Sequence, residues 1–399
     1  MDHALPPFDT LARSDIEALP GSLIRAVAQE GLGLQDVIPL WFGEPDSVTP
    51  GFIRDAAKRA LDHGETFYVS NYGIPPLRDA IARYQNGLGR GSAPERVCVT
   101  PSGVNAILLA CQALLSPGDR VVLPTPHWPN LAGIPAVLGA VLATVPLHLR
   151  DGRWRIDLDR LLAALTPDTR MVMLNAPANP TGWMLTRAEQ VVLLTHCRRY
   201  GIWILADDVY ERLVFDQGAA STFLDLAGPD DRVVSINSFS KSWAMTGWRL
   251  GWITAPERLM PSLGKLSEYN TSCAPAFIQH AAIAALEQGE PFIAETVARY
   301  RHRRDLVAEL LQTIPGVSVP HADGAMYAFF SVAGCTDSFS LATSLLREAR
   351  VGLAPGIAFG SEGEGCLRLC FTIEEARLRE ACIRITDGLA TIRTQGGLA

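Results

Sequence analysis

The sequence predicts an α/β fold: a three-layer, mostly parallel sheet with helices on both faces, plus a smaller α+β domain built from both termini. Three observations carry this reading. Short Val- and Ile-rich runs alternate with helical patterns, polar residues gather just past the ends of those runs, and the alternation changes character towards both ends of the chain. Strand-helix-strand repetition places helices over both faces of a parallel sheet, and ligands of such sheets collect beyond the carboxyl ends of the strands.

The runs are Arg96–Thr100, Arg120–Pro124, Arg170–Asn175, Ile202–Ala206 and Arg232–Ile236. Leu131–Leu149 is uncharged and close to the roughly 20 apolar residues that span a bilayer. It also contains Gly133, Pro135, Gly139 and Pro146, so it reads as a helix, a turn at Gly139 and a buried strand from Ala140 to Val145. Helical segments such as Phe292–Leu311 and short strands at Ala325–Ser331 and Leu367–Phe371 mark the second region. The expected division is a large domain over 49–289 and a small domain from 1–48 with 290–399. Asn86-Gly-Leu-Gly-Arg-Gly91 lacks the spacing of a dinucleotide loop and reads as a turn.

With 399 residues, 48% hydrophobic and 19% charged, the chain can bury a large core. Its 35 basic and 42 acidic residues give a net charge of −7 without a long basic run, which argues against nucleic-acid or anionic-membrane partners. The eight cysteines form no Cys-x-x-Cys pair, and Met1–Arg13 has no basic segment leading into an apolar stretch. Reduced thiols and a cytoplasmic location are the expectation. The eight histidines are dispersed, so no metal site is expected.

The chemistry concentrates in Ser238-Phe-Ser-Lys-Ser-Trp-Ala-Met-Thr-Gly-Trp-Arg249. An isolated lysine is ordinarily a solvated charge. A lysine at the mouth of a sheet, partly buried and near other cations, has a lowered pKa and becomes nucleophilic. Hydroxyls at Ser238 and Ser240 with the cation of Arg249 suit a phosphate dianion.

Asp207 and Asp208 end the run Ile202–Ala206. Two such acids can be a helix cap or a solvated turn, but Tyr210 close by adds a phenol, and a carboxylate for a pyridine nitrogen with a phenol for a ring oxygen is what a pyridoxal electron sink needs. Asp208 is expected to cap or bond locally. Asn175-Ala-Pro-Ala-Asn-Pro-Thr-Gly182 reads first as a turn before a helix near Thr186, and secondly as a way to set Asn179 against a ring oxygen or substrate carboxylate.

These motifs, in this order, resemble the class I and II aminotransferases, fold-type I pyridoxal 5'-phosphate enzymes, over nearly the whole chain. The resemblance implies the PLP-dependent transferase fold and a Schiff base on Lys241, with Ser238 and Arg249 on the phosphate. It pairs Asp207 with the pyridinium, sets Tyr210 and Asn179 on the ring oxygen and stacks Trp128 on the ring. The phosphate loop is matched by Thr100-Pro-Ser-Gly-Val-Asn-Ala106, with Ser102, Gly103 and Val104 as cofactor contacts; helix N-terminal amides bind anions on independent physical grounds. Tyr68, and less directly Thr271, resemble residues that reach the neighbouring subunit's phosphate, which implies a homodimer with shared sites.

Gly43, in Gly43-Glu-Pro-Asp46, and Arg368 match the substrate-binding positions. Arg368 has a structural ion pair as its alternative; as a substrate group it would clamp the α-carboxylate in bidentate fashion. The implied reaction moves an α-amino group between an L-amino acid and a 2-oxo acid, with Lys241 as proton carrier. Some aspartate-using relatives carry a lysine where this chain has Val104, so neutral or aromatic amino acids are expected over strictly acidic ones. The same frame also supports carbon-sulfur lyases and aminocyclopropane-type synthases. A pyridoxal-binding regulator would need an added DNA-binding domain, for which the chain leaves no room. A lid from Pro6 to Leu40 fits a two-domain site.

Overall fold

Alternating residues of each strand point to opposite faces of a sheet, so apolar runs without alternation require cover on both sides. In the computed structural model, which describes residues 12–396 and residue 398, they receive it. The eight-stranded sheet runs Val97–Thr100, Gly251–Thr254, Val233–Ser238, Trp203–Asp207, Thr169–Asn175, Arg120–Thr125, Val141–Arg150, Arg153–Ile156. Its central pairings are parallel. Met171, Met173, Trp203 and Leu205 pack with Ile107, Ala110 and Leu114 of the helix Gly103–Leu114 on one face. Val172, Leu174, Ile204 and Ala206 pack with Leu193, Leu194 and Cys197 of the helix Arg187–Tyr200 on the other. Each fully buried Val, Leu, Ile or Met among them contributes on the order of 1.5–3 kcal/mol.

Thr186 starts the second of these helices through a capping box with Glu189, and Gly201 ends it in the left-handed region at φ 69°. Gly139 turns the chain at φ 78° between the helix Pro129–Val137 and the next strand. That strand corrects one expectation. It extends over Val141–Arg150 with only Val145 and Leu147 buried, and Val141 is 56% exposed. The strand lies next to the sheet edge, paired with the short Arg153–Ile156, so its apolar residues are not all covered. The sequence reading also has no strand at Gly251–Thr254, which runs antiparallel between Val97–Thr100 and Val233–Ser238.

A second, antiparallel sheet orders Val317–Ser318, Tyr327–Val332, Cys366–Cys370 and Ala354–Pro355. Val307 and Leu311 of the helix Glu290–Gln312, Leu345 of Ser338–Ala349, and Leu378 and Ile385 of Glu375–Thr394 are buried in one cluster with Phe330 and Leu367 of this sheet. The early chain joins this region where Ile38–Pro39 pairs in parallel with Val351–Gly352. The same apolar cluster reaches the large sheet at Val172 and Ile204, so the two sheets share one continuous core.

Candidate active site

Because the central strands are parallel, their carboxyl ends open on one edge. Asn175 lies opposite Asp207 in register, and Asp207 opposite Ile236, two residues before Ser238. Beyond this edge lies a cleft of about 510 Å³. Of the residues singled out in the sequence, Gly43, Gly103, Val104, Trp128, Asn179, Asp207, Tyr210, Ser238, Ser240, Lys241, Arg249 and Arg368 line it.

Lys241 reaches into the cleft and donates from Nζ to the Gly43 carbonyl at 2.5 Å, with Nζ 5.7 Å from the centre of the Tyr210 ring. Burial lowers its pKa to about 8; Arg368 pushes the same way, while Cys370 and Asp207 oppose. Asp207 is buried, and the Val209 amide donates to its Oδ1 at a long 3.5 Å. Burial raises its pKa to about 7 against the opposing effects of that amide and Lys241. The carboxylate therefore lies desolvated, facing the cleft, and a cation opposite it would favour its ionised form. Asp208 turns away, accepting a hydrogen bond from Ser235 Oγ at 2.5 Å.

The anion cradle forms at the start of the helix Gly103–Leu114. Ser102 Oγ accepts from the Asn105 amide, and the Ser102 carbonyl accepts from the Ala106 amide. The first two amides of the helix, those of Gly103 and Val104, remain at its positive end beside the cleft. A Cβ on Gly251 would meet the Gly103 nitrogen at 2.7 Å, and one on Gly103 would meet Ser238 Cβ at 3.3 Å. Small residues are thus needed to hold this loop against the strand ends. Arg249 donates to the Thr246 carbonyl at 2.6 Å, which keeps its guanidinium beside the loop.

Arg368 comes from the small sheet and is 2% exposed. It donates from Nη1 to Asn179 Oδ1 at 2.8 Å and from Nη2 to the Trp41 carbonyl. Its guanidinium lies 4.5 Å from the Tyr327 ring centre and 4.9 Å from that of Phe359. Its Nε has no hydrogen-bond partner, and among the described residues no carboxylate pairs with it. The structural ion pair considered from sequence is therefore not made. A buried, unneutralised guanidinium is costly unless an anion completes it.

Ser102 Oγ accepts from the Asn105 amide as the helix cap, and Ser102 does not line the cleft. Tyr68 and Thr271, expected at the neighbouring subunit's site, do not line this chain's own cleft. Tyr68 is 90% exposed. Tyr210 directs its hydroxyl to Tyr327, which the sequence reading missed along with Asn175, Val209 and Thr246. Tyr327 gives no local signal because it is one apolar-looking position in a strand. Ile24 and Arg25, within the Pro6–Leu40 segment expected as a lid, also line the cleft, as do Phe42 and Glu44 just beyond that segment; residues 6–11 lie outside the described residues. Among the described residues, no helix is long and apolar enough to cross a membrane.

The residues present fit a pyridine ring carrying a phosphate: a desolvated carboxylate in Asp207, helix amides with Ser238, Ser240 and Arg249 for the dianion, and Lys241 between them. Comparison with known proteins agrees. An aspartate aminotransferase of Pyrococcus horikoshii is 36% identical over 372 residues, covering 92% of this chain and 94% of its own. Aromatic-amino-acid aminotransferase 2 of Thermococcus litoralis is 33% identical, covering 94% and 97%. A solved aspartate aminotransferase of Thermus thermophilus, a single mutant, superposes with a TM-score of 0.89 at 30% identity, covering 94% and 99%. The family described as aminotransferase class I and II matches residues 35–385, and the chain belongs to that family and is a transaminase.

Proposed function

We propose that the chain transfers an α-amino group between an L-amino acid, neutral or aromatic in preference to strictly acidic, and a 2-oxo acid, using pyridoxal 5'-phosphate held on Lys241. The observation that carries this reading is Arg368, a buried guanidinium without a carboxylate partner among the described residues, in the same cleft as the Lys241 amine. Arg368 binds the substrate α-carboxylate, and its bonds to Asn179 and Trp41 orient the fork. When bound, the cofactor supplies a protonated aromatic ring that accepts the electron pair left at the substrate Cα. Asp207 keeps the ring nitrogen protonated. Lys241 Nζ, with its pKa lowered to about 8, takes the proton from Cα near neutral pH. Gly103, Val104, Ser238, Ser240 and Arg249 hold the phosphate, while Asn179 and Tyr210 bond the ring oxygen and Trp128 covers the ring.

The apolar side chains Ile24, Phe42, Val104, Ile107 and Trp128 around the mouth support the substrate preference. Two similar proteins named for aspartate and for aromatic amino acids bracket it. Phe67, Tyr68 and Tyr269, each at least 80% exposed, support a homodimer that covers them and brings Tyr68 to the neighbouring site. We infer also a large domain over 49–289, a small one from both ends, and a cytoplasmic location.

The test is a half-reaction panel: cofactor-loaded protein mixed with each common amino acid, following the visible absorbance of the Lys241-bound cofactor and the 2-oxo acid released. Conversion with 2-oxo acid release is expected for neutral and aromatic donors. A poor rate with phenylalanine beside a high one with aspartate overturns the preference, and ammonia or thiol release without an oxo-acid acceptor overturns the transfer reading.

A further inference from the structure

We propose that Thr372 is a positioning residue for the transfer reaction: it holds the chain segment 41–46 against the cleft, so that the Gly43 carbonyl stands where Lys241 Nζ needs an acceptor. The proposal rests on the reading of Lys241 as the proton carrier. Thr372 lies just past the small-sheet strand Cys366–Cys370, is 1% exposed and does not line the cleft. Its hydroxyl donates to the Glu44 carbonyl at 2.6 Å.

The segment has few other holds. At its start the Cys370 amide donates to the Leu40 carbonyl at 3.0 Å. At its end the Thr49 hydroxyl donates to the Ala244 carbonyl at 2.5 Å and accepts from Trp248 Nε1 at 2.9 Å, both in the stretch that follows Lys241. Between these points, among the described residues, no amide or carbonyl of 41–48 is hydrogen-bonded to another backbone group. Side chains hold three of its carbonyls instead: Arg368 at Trp41, Lys241 at Gly43 and Thr372 at Glu44. Lys241 changes partners during the reaction and Arg368 receives the substrate carboxylate. Thr372 faces neither substrate nor cofactor, so its bond is the one that the reaction leaves alone.

Thr372 is itself fixed. Its carbonyl accepts from Arg303 Nη1, and Arg303, buried on the helix Glu290–Gln312, also reaches Asp46, with Nη1 3.6 Å from Oδ2. One arginine thus grips both the threonine and the segment that the threonine holds. Tyr327 lies so close to Gly43 that a Cβ there would clash with its hydroxyl. Gly43 is therefore confined between Tyr327 and Lys241, and the bond at the adjacent Glu44 carbonyl sets the direction of its own. An amine that takes a proton from Cα must be placed closely, since a misplacement of about 1 Å costs on the order of a hundredfold in rate.

The experiment compares wild-type, Thr372→Val, Thr372→Ser and Asp46→Asn holoenzymes with alanine and Cα-deuterated alanine, with propionate as a non-reacting carboxylate. Thr372→Val should lower kcat roughly fivefold, as loss of one hydrogen bond does, and raise the deuterium isotope effect on kcat. KM and propionate affinity should stay near wild type, because Arg368 keeps its own bonds to Asn179 and Trp41. Thr372→Ser keeps the hydroxyl and should restore most of kcat, and Asp46→Asn should move kcat and the isotope effect the same way by a smaller factor. In the cofactor-free protein, chymotryptic cleavage after Phe42 should quicken in Thr372→Val through local opening of the segment. A wild-type kcat and isotope effect in Thr372→Val overturn the proposal, as does a serine variant no better than the valine one. If the valine variant does not fold, a wild-type isotope effect in Asp46→Asn overturns it. A Lys241→Ala protein with unchanged turnover overturns the reading of Lys241 itself, while the cleavage rate still reports the hold on the segment, so the two failures are distinct.

Discussion

The hydroxyls of Tyr210 and Tyr327 are 2.7 Å apart, one from the segment that ends a large-sheet strand and one from the small sheet. Burial raises both phenol pKa values above the ordinary tyrosine value, so both stay protonated across the working pH range. One donates to the other, and Tyr327 also lies beneath the Arg368 guanidinium. It approaches Gly43 so closely that a Cβ there would meet its hydroxyl. Tyr327 thus connects Tyr210, Arg368 and the Gly43 backbone whose carbonyl accepts from Lys241.

Replacing Tyr327 with Phe removes this bond and leaves the ring under Arg368. A loss of about 1 kcal/mol is typical of one hydrogen bond, so kcat/KM should fall on the order of fivefold with the fold retained. Gly43→Ala should do more damage, because the added methyl displaces the tyrosine. Steady-state kinetics with circular dichroism as the folding control would check both, and a Gly43→Ala protein as active as wild type would refute the packing argument.

Lys241→Ala should reduce amino transfer by at least a thousandfold, since it removes the proton carrier. The protein should still bind the cofactor non-covalently through the helix amides. Unchanged turnover in the half-reaction would exclude Lys241 as the acting base.

Arg368→Lys should behave almost as poorly as Arg368→Ala. A lysine keeps the charge but cannot reproduce the fork that contacts Asn179 and Trp41. We expect a decrease in kcat/KM on the order of a hundredfold for both, and full activity in the lysine variant would show that charge alone suffices.

The cofactor-free protein should show a pH-dependent stability to which Asp207 and Lys241 both contribute. Asp207 has its pKa raised to about 7 by burial, so the folded state holds a proton that the unfolded state releases near pH 4. Stability therefore falls as pH rises from about 4 to about 7, by up to a few kcal/mol. Lys241 is lowered to about 8, so its penalty is present below that pH and is relieved as pH rises from about 8 towards the ordinary lysine range near 10.4. Cofactor binding should flatten the acidic limb by giving Asp207 a cation. Thermal melts of both forms across pH check this, and Asp207→Asn should shrink the acidic limb in the cofactor-free protein, with the part due to buried Asp208, whose pKa burial also raises, left in place.

Arg90→Met should destabilise the fold by about 3–5 kcal/mol, as removal of one partner of a buried ion pair does. Arg90 is 2% exposed and donates to Glu211 and, at 3.0 Å, to Asp225. Desolvation opposes its charge, yet Glu211, Asp208 and Asp225 together keep it ionised. Tyr84 also donates to Glu211 at 2.9 Å. Chemical denaturation would measure the effect; a loss below 1 kcal/mol would mean that the cluster relaxes.

Several of these relationships were not legible in the sequence for identifiable reasons. Arg90 falls in a glycine-rich turn, and nothing local shows that the turn sends its arginine inward to meet Glu211. Tyr327 looks like any aromatic strand residue. The apolar content of Val141–Arg150 suggested burial, whereas its place beside a short edge strand leaves much of it in solvent.

The sequence by itself determined the strand-helix alternation, the large sheet's mostly parallel order, and the positions of Asp207, Asn179, Ser238, Lys241 and Arg249 at the ends of runs. These follow from periodicity and from residues close together along the chain, where the backbone fixes the geometry. Only the tertiary structure decided that Arg368 meets Asn179 across 189 positions, that Tyr327 meets Tyr210, and that Arg25 stands unneutralised at the mouth. Those contacts depend on how the small sheet and the early helix pack against the large sheet, and that packing is set by side chains distributed over the whole chain.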